Sequence, residues 1–382
     1  MKILHTSDLH IGKKLMGRER SDEYRAVLEE IRSICVEEAV ELVLIAGDVF
    51  DTYTPSAEAE QIFYSGIKRI AEVSTVLIIS GNHDDYVRLT AAATIAEELG
   101  VYIVGNNLQK LTEKVHDKAY PVHSEGGYAI FGNSAGERVY INTLPYPNEA
   151  RFKEGRTEET FEEKMARWIE YGERGNTEKL PSIFLSHIFV VGGKASESER
   201  EIDLGGTRAV PTKMLPDCAY CALGHLHRRQ KLGKNIYYSG APMQFSFDEC
   251  GAIKSVNVFE ITFDGLKNFR QIELKKIKNL IRLQANSVEE GVKLLNEYPD
   301  CYVEMTLNLS APTTPAESTL LHSCENLVSL KAEVRNAEIY FEKISNKNKS
   351  SSQLFSEFYK ARYNTEVPAE LLSLFLSVTE EE

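Results

Sequence analysis

The sequence predicts an α/β fold in which two β-sheets pack face to face between layers of helices, followed by a small α+β domain and a helical tail. Three observations support this prediction. Apolar strand segments alternate with helical segments near the N-terminus, the middle of the chain is richer in strands, and the composition changes after Lys267. Alternating strands and helices indicate a mainly parallel sheet covered by helices.

The N-terminal part supplies the predicted parallel sheet and its helices. Short apolar runs predict strands, and apolar residues recurring every three or four positions predict helices. The predicted strands are 2–6, 42–46, 76–79 and 101–104. The predicted helices are 21–40, 56–73 and 89–99. Ser56 is a suitable N-cap for the second helix.

From about residue 120 the chain contains more strands than helices. Apolar or alternating runs predict strands at 129–131, 138–144, 182–185, 220–223, 236–239 and 255–261. One helix is predicted at 158–171. Two sheets packed face to face and flanked by helices accommodate this pattern.

Five basic residues fall between Lys267 and Lys278, and we place a linker there. The domain before it is expected to cover 1–274. A β-α-β-α-β pattern then follows, with segments at 281–284, 288–298, 301–309, 315–327 and 331–334. This pattern predicts a small separate α+β domain over 279–340.

The C-terminal residues 350–382 predict two short amphipathic helices after a polar linker at 345–352. The apolar side chains of these helices are Leu354, Phe355, Phe358 and Tyr359, then Leu371, Leu372, Leu374, Phe375 and Leu376. Two short helices have little core of their own, so we expect them to dock on another protein. Packing back on the larger domain of the same chain is the alternative.

Composition narrows the class of protein. A hydrophobic fraction of 42% is sufficient to build large cores, and no apolar run approaches the length of a membrane span. Met1 leads straight into the first strand, so we expect no signal peptide and a cytoplasmic protein. The six scattered cysteines predict free thiols. A net charge of −13 argues against nucleic-acid binding by the whole surface, so a DNA path would need a local basic strip or a partner.

Histidine, aspartate and asparagine side chains follow the predicted strands in five short motifs. The motifs are Asp8-Leu9-His10, Gly47-Asp48, Gly81-Asn82-His83-Asp84, Ser186-His187 and Gly224-His225-Leu226-His227. Ligands of such sheets gather beyond the carboxyl ends of the strands. Carboxylate, amide and imidazole donors suit Mn²⁺, Fe²⁺ or Zn²⁺. The motifs therefore predict two divalent cations side by side, the usual site for hydrolysing a phosphate ester.

Spacing within the motifs suggests the first roles. Asp48 follows a buried strand and a glycine that leaves room for close approach, so it is the candidate to bridge two cations. Asp8 and His10 occupy alternate positions and point the same way, so they can chelate one cation together. Asn82 offers a neutral oxygen to the other cation.

The later motifs complete the predicted centre. His225 and His227 repeat the alternation of the first motif, so both can enter the same cleft, and His187 completes the set of seven ligands. His83 adjoins a ligand but need not bind a cation. As an imidazolium it is the candidate general acid that protonates the leaving oxygen. Asp51, one turn beyond the bridging position, is expected to orient His83.

The remaining polar residues have simpler expected roles. Asp84 is expected to fix the backbone of its motif loop, and His5 to be packed within the first strand. Surface or loop positions are expected for His116, His123 and His322. The Cys218-Ala-Tyr-Cys221 segment with the two histidines after it imitates a zinc site. The second pair follows too closely for such a site, so we do not expect zinc–thiolate binding.

The five motifs resemble the pattern of the calcineurin-like metallophosphoesterase superfamily, which runs Asp-x-His, Gly-Asp, Gly-Asn-His, a late His and Gly-His-x-His. Within it, the stretches 3–10, 47–52 and 186–206 are similar to those of SbcD-type nuclease subunits. This resemblance extends over essentially the whole chain. It implies a metallophosphoesterase four-layer α-β-β-α sandwich with a small α+β capping domain and a C-terminal helical tail.

The resemblance also implies the division of ligands between the two cations. One cation would be bound by Asp8, His10, Asp48 and His227. The other would be bound by Asp48, Asn82, His187 and His225. His83 would be the catalytic acid, and two Mn²⁺ ions the usual cofactors, with Mg²⁺ or other divalent ions as substitutes. The position of Asp51 can be a histidine in archaeal and eukaryotic relatives.

Activity and partners follow from the same resemblance. It implies an exonuclease on DNA double-strand ends and an endonuclease on single strands and hairpins, acting in DNA repair and recombination. It implies a homodimer whose tail helices bind an SbcC-type coiled-coil ATPase, so that the complex would build the DNA path that the charge of this chain disfavours. The capping domain would help to seat DNA.

Two other functions use the same residues. A small-molecule metallophosphoesterase acting on a nucleotide or diphosphate would have the same metal site, but it would not require the extra domain or the apolar tail. A catalytically inactive scaffold is disfavoured because every expected ligand and His83 are present.

Overall fold

The computed structural model describes residues 1–115, 117–148, 158–199, 208–334 and 350–379. The chain divides into two compact units, Met1–Asn279 and Leu280–Glu382. Within the described ranges, no helix combines the length and the apolar character needed to cross a membrane.

The strands, in chain order, are β1 (Lys2–Thr6), β2 (Leu42–Ala46), β3 (Thr75–Ile79), β4 (Val101–Val104), β5 (Tyr120–Glu125), β6 (Tyr128–Gly132), β7 (Arg138–Leu144), β8 (Ser182–His187), β9 (Tyr220–Gly224), β10 (Gln230–Leu232), β11 (Ile236–Tyr238), β12 (Ser255–Thr262), β13 (Gly265–Glu273), β14 (Asn279–Ala285), β15 (Cys301–Leu309) and β16 (Leu327–Val334). The helices are α1 (Ser21–Glu37), α2 (Ala57–Ala71), α3 (Tyr86–Thr90), α4 (Ala93–Glu97), α5 (Phe161–Glu173), α6 (Val288–Glu297), α7 (Pro315–His322), α8 (Ser351–Tyr363) and α9 (Ala369–Thr379).

The first unit contains two sheets. The six-stranded sheet has the order β13-β12-β1-β2-β3-β4, in which β1 to β4 are parallel and β12 runs antiparallel to β1. The seven-stranded sheet has the order β10-β11-β9-β8-β7-β6-β5, in which β7, β8, β9 and β11 are parallel. The parallel strands lie at the centre of the seven-stranded sheet, and in the six-stranded sheet they extend from β1 to the edge strand β4.

Three hydrophobic cores hold these sheets and their helices together. Side chains from both sheets, including Leu44 and Leu185, form one core between them. The opposite face of the six-stranded sheet packs against α1 and α2, and that of the seven-stranded sheet against α5. The predicted four-layer α-β-β-α sandwich is thereby confirmed. Every residue of β2 and β3 is buried, as expected for central parallel strands covered on both faces.

The predicted helices α1 and α2 are confirmed with slightly shorter ends. The apolar residues of α1, from Tyr24 to Cys35, are buried at the predicted helical spacing. Ser56 caps α2 by accepting a hydrogen bond from the Ala59 N–H at 3.2 Å. The predicted helix at 89–99 is instead two short helices, α3 and α4. The first begins earlier than predicted because the Asp85 side chain caps it.

The linker predicted at 267–278 is wrong over its first half, because β13 is the edge strand of the six-stranded sheet. Leu266 and Phe269 pack against the core between the sheets. Arg270 points to solvent and pairs with Glu38. Charged side chains are typical of an edge strand, so the basic composition reflects edge exposure.

The second unit contains the three-stranded sheet β14-β15-β16, in which β15 and β16 are parallel. Leu295 of α6 and Leu321 of α7 pack against the buried, alternating side chains of β15. The last strand begins at Leu327, where the sequence predicts the end of a helix. Strands β5 and β10 were also absent from the sequence prediction.

Substitution of Phe63 tests the core beneath α2. Phe63 is fully buried, so Phe63→Ala is expected to lower the free energy of unfolding by about 3–5 kcal/mol. Urea unfolding followed by the fluorescence of Trp168, the single tryptophan and itself buried, measures this change. Gln61→Ala on the exposed face of the same helix is the control and should change stability by less than about 0.5 kcal/mol. Equal effects of the two substitutions would contradict this assignment of the core.

Candidate metal centre

All five motifs lie at the carboxyl ends of parallel strands, where the two sheets face each other. Asp8 and His10 follow β1, Asp48 follows β2, and Asn82 follows β3. From the other sheet, His187 ends β8, and His225 and His227 follow β9. The structure thus brings all seven predicted ligands and His83 together, and each of these side chains is buried.

The donor atoms form two adjacent groups. In the first, Nε2 of His10 lies 3.0 Å from Nε2 of His227, and both residues offer a nitrogen within 4.8 Å of a carboxylate oxygen of Asp8. In the second, Oδ1 of Asn82 lies 2.8 Å from Nε2 of His187 and 3.3 Å from Nδ1 of His225. Donors about 3 Å apart can share one ion, because metal–nitrogen distances are about 2.1 Å.

Asp48 lies between the two groups. Its Oδ2 is 3.5 Å from Nε2 of His10 in the first group and 3.4 Å from Nε2 of His187 in the second. Its Oδ1 accepts a hydrogen bond from the His83 N–H at 2.8 Å, which fixes the orientation of the carboxylate. This is the arrangement that a bridging carboxylate requires.

The residues fit a pair of divalent cations. Nε2 of His225 is buried and has no hydrogen-bond partner among the described residues. A buried polar atom without a hydrogen-bond partner destabilises the folded protein unless another group, such as a bound ion, interacts with it. Imidazole, carboxylate and amide donors converge here, and a cation would satisfy their lone pairs.

Burial and the neighbouring carboxylates together set the protonation of three of the histidines. Burial lowers the pKa of both His10 and His225 to about 3, so their rings are neutral and able to donate a lone pair. Burial would also lower the pKa of His187, but the charges of Asp48 and Asp8 raise it to about 9. Burial opposes ionisation of Asp48, yet the surrounding histidines, His187 first, hold the pKa of this carboxyl well below its usual range. The carboxylates of Asp8 and Asp48 therefore favour positively charged groups at the centre.

Four of the ligands have left-handed backbone conformations that are uncommon for residues with a side chain. The φ angles are 54° at Asp8, 44° at His10, 50° at Asp48 and 101° at His225. Each costs of order 1–3 kcal/mol and persists only where surrounding structure enforces it. Here the N–H of Asp8 donates to the Gly47 carbonyl and that of His10 to the Asp48 carbonyl, both at 3.0 Å. Such strain is typical of functional sites.

Two glycines allow the backbones to approach at the centre. A Cβ added to Gly224 would lie 1.9 Å from the carbonyl oxygen of Ala46 in the facing sheet. A Cβ added to Gly81 would lie 2.1 Å from Oδ1 of Asp48. The glycines of the motifs are therefore required by the space around the ligands.

Asp84 has the role predicted for it. Its carboxylate accepts hydrogen bonds from the N–H groups of Gly81, Val49 and Phe50 at 2.8–3.2 Å, so it ties the third motif loop to the second. His5 is packed within β1 as predicted, with Nδ1 3.0 Å from the Tyr220 hydroxyl. His123 and His322 are exposed, and His116 lies outside the described residues.

Asp51 orients His83 differently from the expectation. The backbone carbonyl of Asp51, and not its carboxylate, accepts the hydrogen bond from His83 Nδ1 at 2.6 Å. The Asp51 carboxylate instead lies 3.6 Å from Nδ1 of His10 and 3.1 Å from Nζ of Lys13. Because Nδ1 donates to this carbonyl, Nε2 is the ring nitrogen of His83 that this hydrogen bond does not use.

Sequence reasoning missed residues on both sides of the centre. Tyr146 packs edge-on against His187 and Phe189 against His225, and Arg208 donates to the Tyr146 hydroxyl at 3.1 Å. No motif marks these three residues. Behind His227 lie Ser198 and Glu199, whose acidic, serine-rich stretch was visible in the sequence but had no assigned role.

A four-layer α/β sandwich with this centre defines a metallophosphoesterase. The sequence profile of the calcineurin-like phosphoesterase family matches residues 1–229. The chain belongs to this family and, within it, to the group of relatives named as the SbcD subunit of the nuclease SbcCD. It is accordingly a hydrolase of phosphodiester bonds.

The similarity to these relatives extends over most of both chains. The SbcD subunit of the nuclease SbcCD of Bacillus subtilis (strain 168) is 32% identical, over 99% of this chain and 97% of the relative. The protein of that name from Rhodobacter capsulatus is 32% identical over 75% of this chain and 72% of its own. That of Staphylococcus epidermidis is 27% identical over 94% and 93%. The small unit and the tail are therefore covered by the similarity as well.

Substitution of Gly81 tests the close packing of the centre without removing a donor. Gly81→Ala is expected to displace Asp48, because the new Cβ collides with its carboxylate. Calorimetric titration with Mn²⁺ should show metal affinity reduced at least about tenfold. Gly136→Ala is the control: its φ of 80° makes any side chain strained there, but the added Cβ meets no atom within 4 Å. Unchanged Mn²⁺ binding by Gly81→Ala would contradict the packing argument.

Proposed function

We propose that this chain is the nuclease subunit of a DNA-processing complex, an exonuclease on double-strand ends and an endonuclease on single strands and hairpins, in DNA repair and recombination. The observation that carries the metal-dependent chemistry is the position of Asp48, whose Oδ2 lies between His10 and His187 at 3.5 and 3.4 Å. The names of the relatives support the nuclease activity and the partnership.

The ligands divide between two cations as the family resemblance implies, and the contacts of His10 with His227 and of Asn82 with His187 support this division. Asp8, His10, Asp48 and His227 would hold one cation, and Asp48, Asn82, His187 and His225 the other. When bound, two divalent cations, here two Mn²⁺, supply activation of water for in-line attack on phosphorus and neutralise charge on the phosphoryl oxygens. The buried, strained backbone of the ligands holds the donors ready, so little rearrangement is needed.

His83 is the group that delivers a proton to the leaving oxygen. Its ring contacts that of His10, with centroids 4.6 Å apart, so it stands beside the first group of ligands. Nδ1 donates to the Asp51 carbonyl, so in the imidazolium form the Nε2 proton is the one that passes to the leaving oxygen, and the ring is left neutral with its proton on Nδ1. Asp51 thus acts through its carbonyl on His83 and through its carboxylate on His10.

The rest of the chain supports a macromolecular substrate and a partner. We assign 1–274 to the nuclease domain, 279–340 to a capping domain that helps to seat DNA, and 350–382 to a tail that binds an SbcC-type coiled-coil ATPase. In the tail, Phe355 and Phe375 stack with ring centroids 4.0 Å apart, and Leu374 remains 61% exposed. An apolar surface of this kind suits a protein partner. The net charge of −13 disfavours a DNA path on this chain alone. The path therefore belongs to a homodimeric complex with the ATPase partner, in the cytoplasm.

Substitution of His83 separates metal binding from catalysis. His83→Ala is expected to keep Mn²⁺ binding and to lose about 10²- to 10⁴-fold in the rate of cleavage of single-stranded DNA, because the leaving oxygen has no proton donor. Asp48→Ala is the matched variant and should lose metal binding itself. Normal cleavage by His83→Ala would remove the assignment of the acid.

The same assay decides between the two substrate classes. The wild-type chain with Mn²⁺ is tested on single-stranded DNA and on mononucleotides. The proposed function predicts cleavage of the DNA. Rapid hydrolysis of nucleotides without any DNA cleavage would establish the alternative, a small-molecule metallophosphoesterase.

Removal of the tail tests the partnership. The chain truncated after Ser350 is expected to lose co-purification with the coiled-coil ATPase while keeping Mn²⁺-dependent cleavage of single-stranded DNA. Leu374→Asp in the full chain is the finer variant, since it places a charge on an exposed apolar position of α9. Retention of the ATPase by both variants would contradict the role of the tail.

A further inference from the structure

Behind the ring of His227 lies a chain of hydrogen-bonded polar groups, Ser198 and Glu249, that no predicted role includes. Its Nδ1 lies 2.6 Å from Oγ of Ser198, and that hydroxyl donates to Oε1 of Glu249 at 2.9 Å. The direct distance from His227 Nδ1 to Glu249 Oε1 is 3.8 Å, too long for a hydrogen bond. The Ser198 hydroxyl therefore fills the gap between ring and carboxylate.

The direction of these hydrogen bonds follows from the chemistry of the groups. An ionised carboxylate only accepts, so the single hydroxyl proton of Ser198 points to Glu249. The serine oxygen then accepts from His227, which places the imidazole proton on Nδ1. Nε2 is left with its lone pair directed at the first ligand group, 3.0 Å from His10 Nε2. These hydrogen bonds thus select the imidazole tautomer in which Nε2 can bind a metal ion.

Glu249 is itself rigidly held. It is fully buried, pairs with the equally buried Lys254, and accepts the Phe245 N–H at 3.2 Å. Nζ of Lys254 also donates to the backbone carbonyl of His227 at 3.0 Å. The side chain and the backbone of His227 are therefore tied to one buried ion pair. A second carboxylate, Glu199, accepts the His227 N–H at 2.7 Å.

The two ligand groups differ in the groups that lie behind their imidazole rings. In the first, His10 faces the Asp51 carboxylate at 3.6 Å and His227 reaches Glu249 through a hydroxyl. In the second, His187 donates Nδ1–H to a backbone carbonyl, that of Ala46, at 2.8 Å. Carboxylates behind a ligating imidazole raise its basicity and fix its ring. Hydrogen-bonded support of this kind is present behind His227, whereas Nδ1 of His10 has no hydrogen-bond partner among the described residues.

We propose that Ser198 and Glu249 are positioning residues that orient His227 and strengthen the binding of one of the two cations, the one held with Asp8 and His10. The proposal rests on the metal pair of the proposed function and adds that the two sites differ in affinity through this outer support. It also gives a role to the Ser196–Glu199 stretch, which reaches the centre from outside both sheets.

Titration of the full chain with Mn²⁺, followed by the electron paramagnetic resonance signal of the free ion, tests the proposal. The wild-type chain is expected to take up two ions. Ser198→Ala should weaken one of the two sites about 10- to 100-fold and leave the other unchanged. Ser198→Thr, which restores the hydroxyl, should restore the affinity. In cleavage assays the half-maximal Mn²⁺ concentration of Ser198→Ala should rise, with a nearly unchanged rate at saturation.

Glu249→Gln is the second variant, and it should weaken the same single site. Both residues act through the same series of hydrogen bonds. The double variant should therefore bind Mn²⁺ at this site with nearly the affinity of the weaker-binding single variant. Glu41→Gln is the matched control, since this carboxylate also accepts backbone and side-chain hydrogen bonds but lies just before β2, away from Asp48 at its other end. Near-ultraviolet circular dichroism confirms folding of each variant.

The outcomes separate this inference from the proposed function. A wild-type chain that fails to bind two Mn²⁺ ions would remove both. A wild-type chain that binds two ions, with Ser198→Ala binding both equally well, would remove only the inference. Loss of affinity in Ser198→Ala that threonine does not restore would also overturn it, because the hydroxyl would not be the group responsible.

Discussion

Close approach of the two sheets at their facing carboxyl ends is the constraint on which the centre depends. Gly224 leaves no room for a Cβ against the Ala46 carbonyl, and His187 donates a hydrogen bond across the sheets to the same carbonyl at 2.8 Å. The His225 N–H donates to Oδ1 of Asp8 at 2.9 Å, which links the sheets a second time. Because the backbones meet here, side chains from opposite sheets come within reach of the same ion.

This convergence carries a cost that the rest of the fold offsets. Two carboxylates, Asp8 and Asp48, lie fully desolvated, and several ligands have left-handed backbones. Desolvated charge and strain both destabilise a folded chain in the absence of compensation. The compensation comes from the central parallel strands β2, β3, β8 and β9, which are buried along their whole length and leave the loops at their ends little freedom. A bound cation would neutralise the charge that remains.

The support behind the ligands is uneven, and the unevenness has a structural origin. His187 ends a central strand and finds its acceptor in the backbone of the facing sheet. His227 lies beyond the end of its strand, and there the side chains of Ser198 and Glu249 provide the support. In the proposed pair of cation sites, this side-chain support would place the Glu249 carboxylate behind one site, whereas His187 of the other is held by a backbone carbonyl. The two sites would then differ chemically.

The sequence by itself determined most of the strands and helices, though not β5, β10 and β13, and it determined the seven donors and the end of the sheets at which they stand. Periodicity marks buried strands, and parallel strands place the residues after them at one edge. Only the tertiary structure decided that the Asp51 carbonyl holds His83, that Ser198 and Glu249 support His227, and that 265–273 is an edge strand. These features depend on contacts between residues distant in the chain, or on which side of a strand faces water, and no local pattern of residue types encodes such contacts.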